Sequence, residues 1–138
     1  MQIREQETAF CAAKRCILVI ESYRNLRELY REQLEQAGYT VCTASGRIET
    51  DEVMDLLRPD VVVVDPGEHT DIQEVIQQIR SDGEGYPLVV FNCGTMLGGD
   101  VEEKDRIDAC VLKSSDTSLL IDAMESVLRS RSAGISVS

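Results

Sequence analysis

A single histidine, His69, is all the chain contains, and none of its five cysteines (Cys11, Cys16, Cys42, Cys93, Cys110) forms a C-x-x-C pair. Both facts argue against a zinc site or a disulfide framework, and an odd number of scattered cysteines suits reduced thiols in the cytoplasm. Cys93 and Cys110 read as small core residues, and His69 as a solvent-facing loop residue. No apolar run approaches the length that a bilayer demands, so no membrane association is expected. The polar start Met1–Thr8 is no signal peptide. Neither a G-x-G-x-x-G after the first apolar run nor a P-loop occurs, which leaves dinucleotides and nucleoside triphosphates without support. Positive charge is scarce too: Lys+Arg 14 against Asp+Glu 25 gives a net charge of −11. Such a surface repels phosphate backbones and argues against nucleic-acid binding through this chain.

What is present is a 138-residue chain with 43% hydrophobic residues, enough for one domain with one core. Its most distinctive stretch is Arg58-Pro-Asp-Val-Val-Val-Val-Asp65, followed by Pro66 and Gly67. Four β-branched residues without polar alternation predict a strand buried on both faces of a parallel sheet. Cys16–Ile20 predicts another buried strand, ending at Glu21 and Ser22. Tyr39–Ala44, Leu88–Phe91 (ending at Asn92) and Ala109–Leu112 (ending at Lys113) complete five. Between them, helical spacing places Leu26, Leu29, Tyr30, Leu34 and Ala37 on one face of a helix over Arg24–Ala37, with Gly38 as its C-cap. Thr50 is expected to cap a helix over Asp51–Leu57 with Val53, Leu56 and Leu57 inward, stopped by Pro59. Thr70-x-x-Gln73 is a capping box for a helix facing inward through Ile72, Val75, Ile76 and Ile79. A glycine-bearing loop over Cys93–Asp100 leads to a short helix near 101–106. Asp116 or Ser115 caps a last helix with Leu119, Leu120, Ala123, Met124, Val127 and Leu128 inward. Residues 1–14 read as an N-terminal extension, 15–131 as the folded domain and 132–138 as a flexible tail. Five strands alternating with five helices predict a doubly wound α/β sandwich.

In an open parallel sheet, ligands bind beyond the carboxyl ends of the strands. There the chain places Glu21 with Ser22, Asp65, Asn92 and Lys113. Two carboxylates, an amide or hydroxyl and an ammonium in one crevice make a small ionic site. The stretches Ile17–Glu21, Asn25–Tyr39, Arg58–Asp65, Tyr86–Asn92 and Val111–Lys113, with their gaps, resemble the receiver domain of two-component response regulators, over about Arg15 to Arg131. The resemblance implies a flavodoxin-like (CheY-like) sheet of strand order 2-1-3-4-5 with helices on two faces. It implies that Asp65 is the phosphoacceptor, that Lys113 pairs with the phosphoryl group, and that Asn92 stands at the position of a switch threonine or serine. It implies Mg²⁺ held by Glu21, Asp65 and the Gly67 backbone carbonyl, with Ser22 where a second acid stands in the family. Cys110 takes the place of the family's switch aromatic, Ser114 that of a proline after the lysine, and His69 that of a loop proline.

By the same resemblance the partners are a histidine kinase or phosphotransfer protein, and a downstream protein on the face formed by the helix near 101–106, the last strand and the last helix. That face also serves a homodimer. No enzyme activity beyond self-phosphorylation from a phosphodonor is expected, and the chain reads as a single-domain regulator or a fragment of a longer protein. The replacements at Ser22, Asn92 and Cys110 raise a second expectation: a degenerate pseudo-receiver that binds partners independently of phosphorylation.

Overall fold

A computed structural model describes residues 15–65, 72–80, 88–93, 107–112 and 116–132. In chain order these form β1 (Cys16–Ile20), α1 (Arg24–Gln36), β2 (Thr40–Ala44), α2 (Arg47–Leu57), β3 (Val61–Val64), α3 (Ile72–Ile79), β4 (Leu88–Cys93), β5 (Ala109–Leu112) and α4 (Ser118–Ser132). The extension 1–14, the helix expected near 101–106 and the tail beyond residue 132 lie outside the described residues, as do Thr70, His69, Gly67 and Lys113.

All strand pairs are parallel, in the order β2-β1-β3-β4-β5. The valine run shows why helices must cover both faces. Its four side chains are fully buried, yet they serve two different cores. Val61 and Val63 pack with Ile17, Val19, Tyr30, Leu34, Leu120, Met124 and Leu128, beneath α1 and α4. Val62 and Val64 pack with Leu18, Ile20, Ile76 and Ile79, beneath α2 and α3. Period-two alternation along β3 therefore divides one apolar run between the two faces of the sheet. Met124 and Leu128 are core residues, at 0% and 8% exposure.

The end of α1 follows the sequence closely. Gly38 adopts φ 102°, its N–H donates to the Glu35 carbonyl (3.0 Å), and the Tyr39 N–H donates to the Leu34 carbonyl (3.2 Å). This is a Schellman closure, which satisfies the last carbonyls of the helix. A Cβ at Gly38 would meet no atom within 4 Å, so Gly38→Ala tests backbone strain alone. We expect a loss of about 1–2 kcal/mol in chemical denaturation.

Three local expectations are corrected. First, α2 begins at Arg47, four residues before the expected start, and Thr50 is not its cap. Thr50 is buried within the first turn and its Oγ1 donates to the Gly46 carbonyl at 2.8 Å. The N-cap is Gly46, with no side-chain cap bond; Glu49 Oε1 reaches back to accept the Ser45 N–H at 2.7 Å and the Ser45 hydroxyl. Those bonds hold the Glu49 carboxyl below its ordinary range. Second, the inward stripe of α2 is Thr50, Val53 and Met54, spaced i, i+3, i+4. It leaves Leu56 (80%) and Leu57 exposed. Leu29 and Leu119 are exposed as well, because adjacent positions such as Leu119 and Leu120 cannot both face one core. Third, β4 continues to Cys93, so Asn92 lies within the strand, paired with Val111, rather than ending it. Pairing with β5 overrides the poor strand propensity of asparagine.

The remaining ends are tied by side chains. Asp116 Oδ1 accepts the Ser118 N–H at 2.9 Å and caps α4. The Thr117 hydroxyl, buried, bonds Gln33 Oε1 on α1 at 2.5 Å. Gln78 on α3 donates to the Arg47 carbonyl (2.8 Å) and to Asp51 (2.9 Å), which locks α3 to α2. On neighbouring strands, burial and the adjacent Cys42 push the Cys16 thiol up to about 11. It therefore stays protonated at neutral pH, in keeping with unreactive thiols.

Candidate functional site at the strand ends

The order β2-β1-β3 sets the carboxyl ends of β1 and β3 side by side, and the register pairs Ile20 with Val64. The next residues are Glu21 and Asp65. The Asp65 N–H donates to the Ile20 carbonyl and the Glu21 N–H to the Ala44 carbonyl, each at 3.0 Å, so the ladder extends past the formal strand ends. Both carboxylates are buried, Glu21 to 1% exposure and Asp65 to 9%. Neighbouring buried carboxylates are costly unless cations or donors serve them.

The surroundings supply donors. Tyr30, buried on α1, donates its hydroxyl to Asp65 Oδ2 at 3.3 Å. The Tyr23 N–H donates to Glu21 Oε2 at 3.1 Å. Arg27 donates from Nη1 to the Glu21 carbonyl (2.9 Å) and the Ser22 carbonyl (3.2 Å), which pins the turn after β1. Beside Asp65 opens a cavity of about 210 Å³ towards α2 and α3, whose walls include Ser22, Gly46, Arg47, Thr50 and Glu74. Asp65 thus has Tyr30 on one side and this cavity on the other.

Of the residues expected in the site, Glu21, Ser22 and Asp65 are brought together. Asn92 follows Phe91, whose register partner is Val64, and so stands level with Asp65 on the adjacent strand. Gly67 and Lys113 lie outside the described residues. Cys110 packs against the cluster of Leu18, Val62, Ile76 and Ile79, on the α2–α3 side of the sheet. Tyr30 was read from the sequence only as one member of an apolar stripe. The one signal that set it apart was a hydroxyl on an otherwise aliphatic stripe, since buried tyrosines need a partner for that group.

Among the described residues no three His, Cys, Asp or Glu side chains gather as a metal cluster. Two carboxylates do stand at adjacent strand ends, and that oxygen-only set fits Mg²⁺, which retains waters and uses one or two carboxylates beside a phosphate. It does not fit zinc, which draws on nitrogen and sulfur ligands. No helix among the described residues is long and apolar enough to cross a membrane.

No family model matches the chain. The response regulator MprA of Mycobacterium ulcerans is 39% identical over 76 residues, 54% of this chain and 33% of that protein. The chain thus spans about a third of the length of the curated relatives it matches. The N-terminal domain of a response regulator/sensory box/GGDEF three-domain protein from Carboxydothermus hydrogenoformans superposes with a TM-score of 0.71 at 26% identity, covering 88% of this chain and 99% of that one. The response regulator TrrA of Thermotoga maritima, solved in complex with Mg(2+)-BeF, gives a TM-score of 0.71 at 23% identity, covering 82% of this chain and 98% of its own.

Proposed function

This chain carries a receiver domain of the response regulators of two-component signalling, and from that premise we propose that Asp65 accepts a phosphoryl group from a histidine kinase or phosphotransfer protein. The observation that carries the reading is the buried pair Glu21 and Asp65 at the carboxyl ends of the two central strands. Asp65 supplies the nucleophilic oxygen. Glu21 and Asp65, with the Gly67 carbonyl and the Ser22 hydroxyl, are the groups that would hold Mg²⁺. When bound, that ion offsets charge on the phosphoryl oxygens. Lys113 pairs with the same oxygens, and Asn92 donates to them from its amide. Beyond this self-phosphorylation the domain carries out no chemistry, and it works in the cytoplasm. Its output is a contact with a downstream protein, or with a second copy of itself, through the face that includes β5 and α4. Leu112 and Leu119, both apolar and about half exposed, lie on that face.

A second reading, a pseudo-receiver that binds partners without phosphorylation, is favoured by Cys110. It is a small thiol that packs on the α2–α3 side of the sheet and carries no ring to follow a change at Asp65. Incubation with acetyl phosphate and Mg²⁺ separates the two readings. The expected result is a mass gain of one phosphoryl group, mapping to Asp65 and lost in Asp65→Asn. No gain under conditions that label a working receiver would leave only the pseudo-receiver.

A further inference from the structure

The hydroxyl of Tyr30 reaches Asp65 from within the core. Tyr30 is 2% exposed, sits on α1, and packs with Ile17, Val19, Leu34 and Met124. That packing fixes the ring, so its oxygen holds a set place 3.3 Å from Asp65 Oδ2. We propose that Tyr30 is a positioning residue that restrains Asp65 in its unmodified, ionised form and so sets the resting bias of the switch. This inference rests on Asp65 being the phosphoacceptor.

The chemistry follows from what the hydroxyl donates to. Before transfer its acceptor is a carboxylate, and hydrogen bonds to ionised acceptors are stronger than those to neutral ones. In transfer from an acyl phosphate, an Asp65 oxygen uses a lone pair to form the new O–P bond. The donor's own P–O bond breaks, and its acyl group leaves as a carboxylate (acetate from acetyl phosphate). Asp65 is then a mixed anhydride without net charge on its carboxyl oxygens, and the bond from Tyr30 is weakened whichever oxygen attacked. In the return step, water attacks phosphorus, inorganic phosphate departs and Asp65 leaves as carboxylate. The Tyr30 hydroxyl then meets the negative charge growing on that carboxylate. Both steps are biased one way: formation is opposed and loss is assisted.

The variant Tyr30→Phe keeps the ring and removes only the hydroxyl. Exposed to acetyl phosphate and Mg²⁺ and followed by intact mass, it should reach a phosphorylation equilibrium about three- to tenfold higher than the parent chain. After the donor is removed it should lose its phosphoryl group more slowly. A purely structural role would move neither ratio at equal folded fraction, which circular dichroism checks. Equal labelling and equal loss in the two proteins, or weaker labelling of the variant, overturns the inference while leaving Asp65 as the acceptor. Labelling of neither protein, beside a receiver that does label, removes the proposed function and this inference with it. Should the variant fold poorly, tyrosine-ring ¹³C labelling of the parent chain gives the second measurement. The Tyr30 resonance, assigned through the other three tyrosines, should shift when the phosphoryl group is added. An unmoved resonance beside a confirmed mass gain overturns the inference.

Discussion

Replacing Glu21 by glutamine should raise the Mg²⁺ concentration needed for half-maximal phosphorylation of Asp65 by about thirtyfold or more. The range follows from removing one unit of negative charge roughly 4 Å from a divalent cation, about 2 kcal/mol in a water-like medium and about 8 kcal/mol at an effective dielectric near 20. Each 1.4 kcal/mol is about tenfold in affinity. Glu21 is only 1% exposed, which points to the upper part of the range. The substitution is nearly isosteric, and an amide oxygen still accepts the Tyr23 N–H that now meets Glu21 Oε2. The local turn, pinned also by Arg27, therefore persists, and the change isolates charge. A titration of Mg²⁺ against phosphoryl incorporation, read by intact mass, measures it. Ser22 has no charge to lose, so Ser22→Ala should shift the midpoint far less. A Glu21→Gln midpoint within twofold of the parent would remove Glu21 from the metal site.

The valine run, its flanking carboxylate and the glycine after α1 were legible because each is a local rule with little competition. Four successive β-branched residues have few places to go other than a strand covered on both sides, and Gly38 is favoured at a positive φ. Asp65 was legible for the same reason, since the strand that delivers it is unmistakable. Thr50 shows how local rules fail: it is a good cap residue by type, yet the helix starts at Arg47 after Gly46, with Glu49 reaching back to the Ser45 N–H, and Thr50 is left inside the first turn. Periodicity marked Tyr30 as inward but carries no information on where a hydroxyl six bonds from the backbone will end. That depends on how far α1 slides along the sheet before Leu34 and Met124 stop it, which is a tertiary quantity. Cys110 is a related case. Its residue type told only that it was small, whereas its parity along β5 placed it on the α2–α3 side, away from the bond that Asp65 makes with Tyr30.

Leu34→Ala should destabilise the domain by about 2–5 kcal/mol, while Leu56→Ala should change stability by about 0.5 kcal/mol or less. Both leucines sit on helices and both were read from the sequence as inward-facing, so the pair separates burial from residue type. Leu34 is 0% exposed and packs between α1, the sheet and α4. Its truncation loses the transfer free energy of the removed carbons and leaves a void in a close-packed core. Leu56 is 80% exposed, and alanine is the better helix former, so its loss is nearly neutral. Against a typical total of about 5–15 kcal/mol for a domain, the Leu34 change alone removes a large fraction of the stability. Urea denaturation of both variants is the measurement, and the midpoint should fall sharply only for Leu34→Ala. Equal shifts would mean that α2 is covered by something that protects Leu56. The Leu34 variant also bears on Tyr30, one helical turn away on the same stripe. Loosening the packing that fixes the ring should weaken the bond to Asp65 and move its phosphorylation in the same direction as Tyr30→Phe, compared at equal folded fraction.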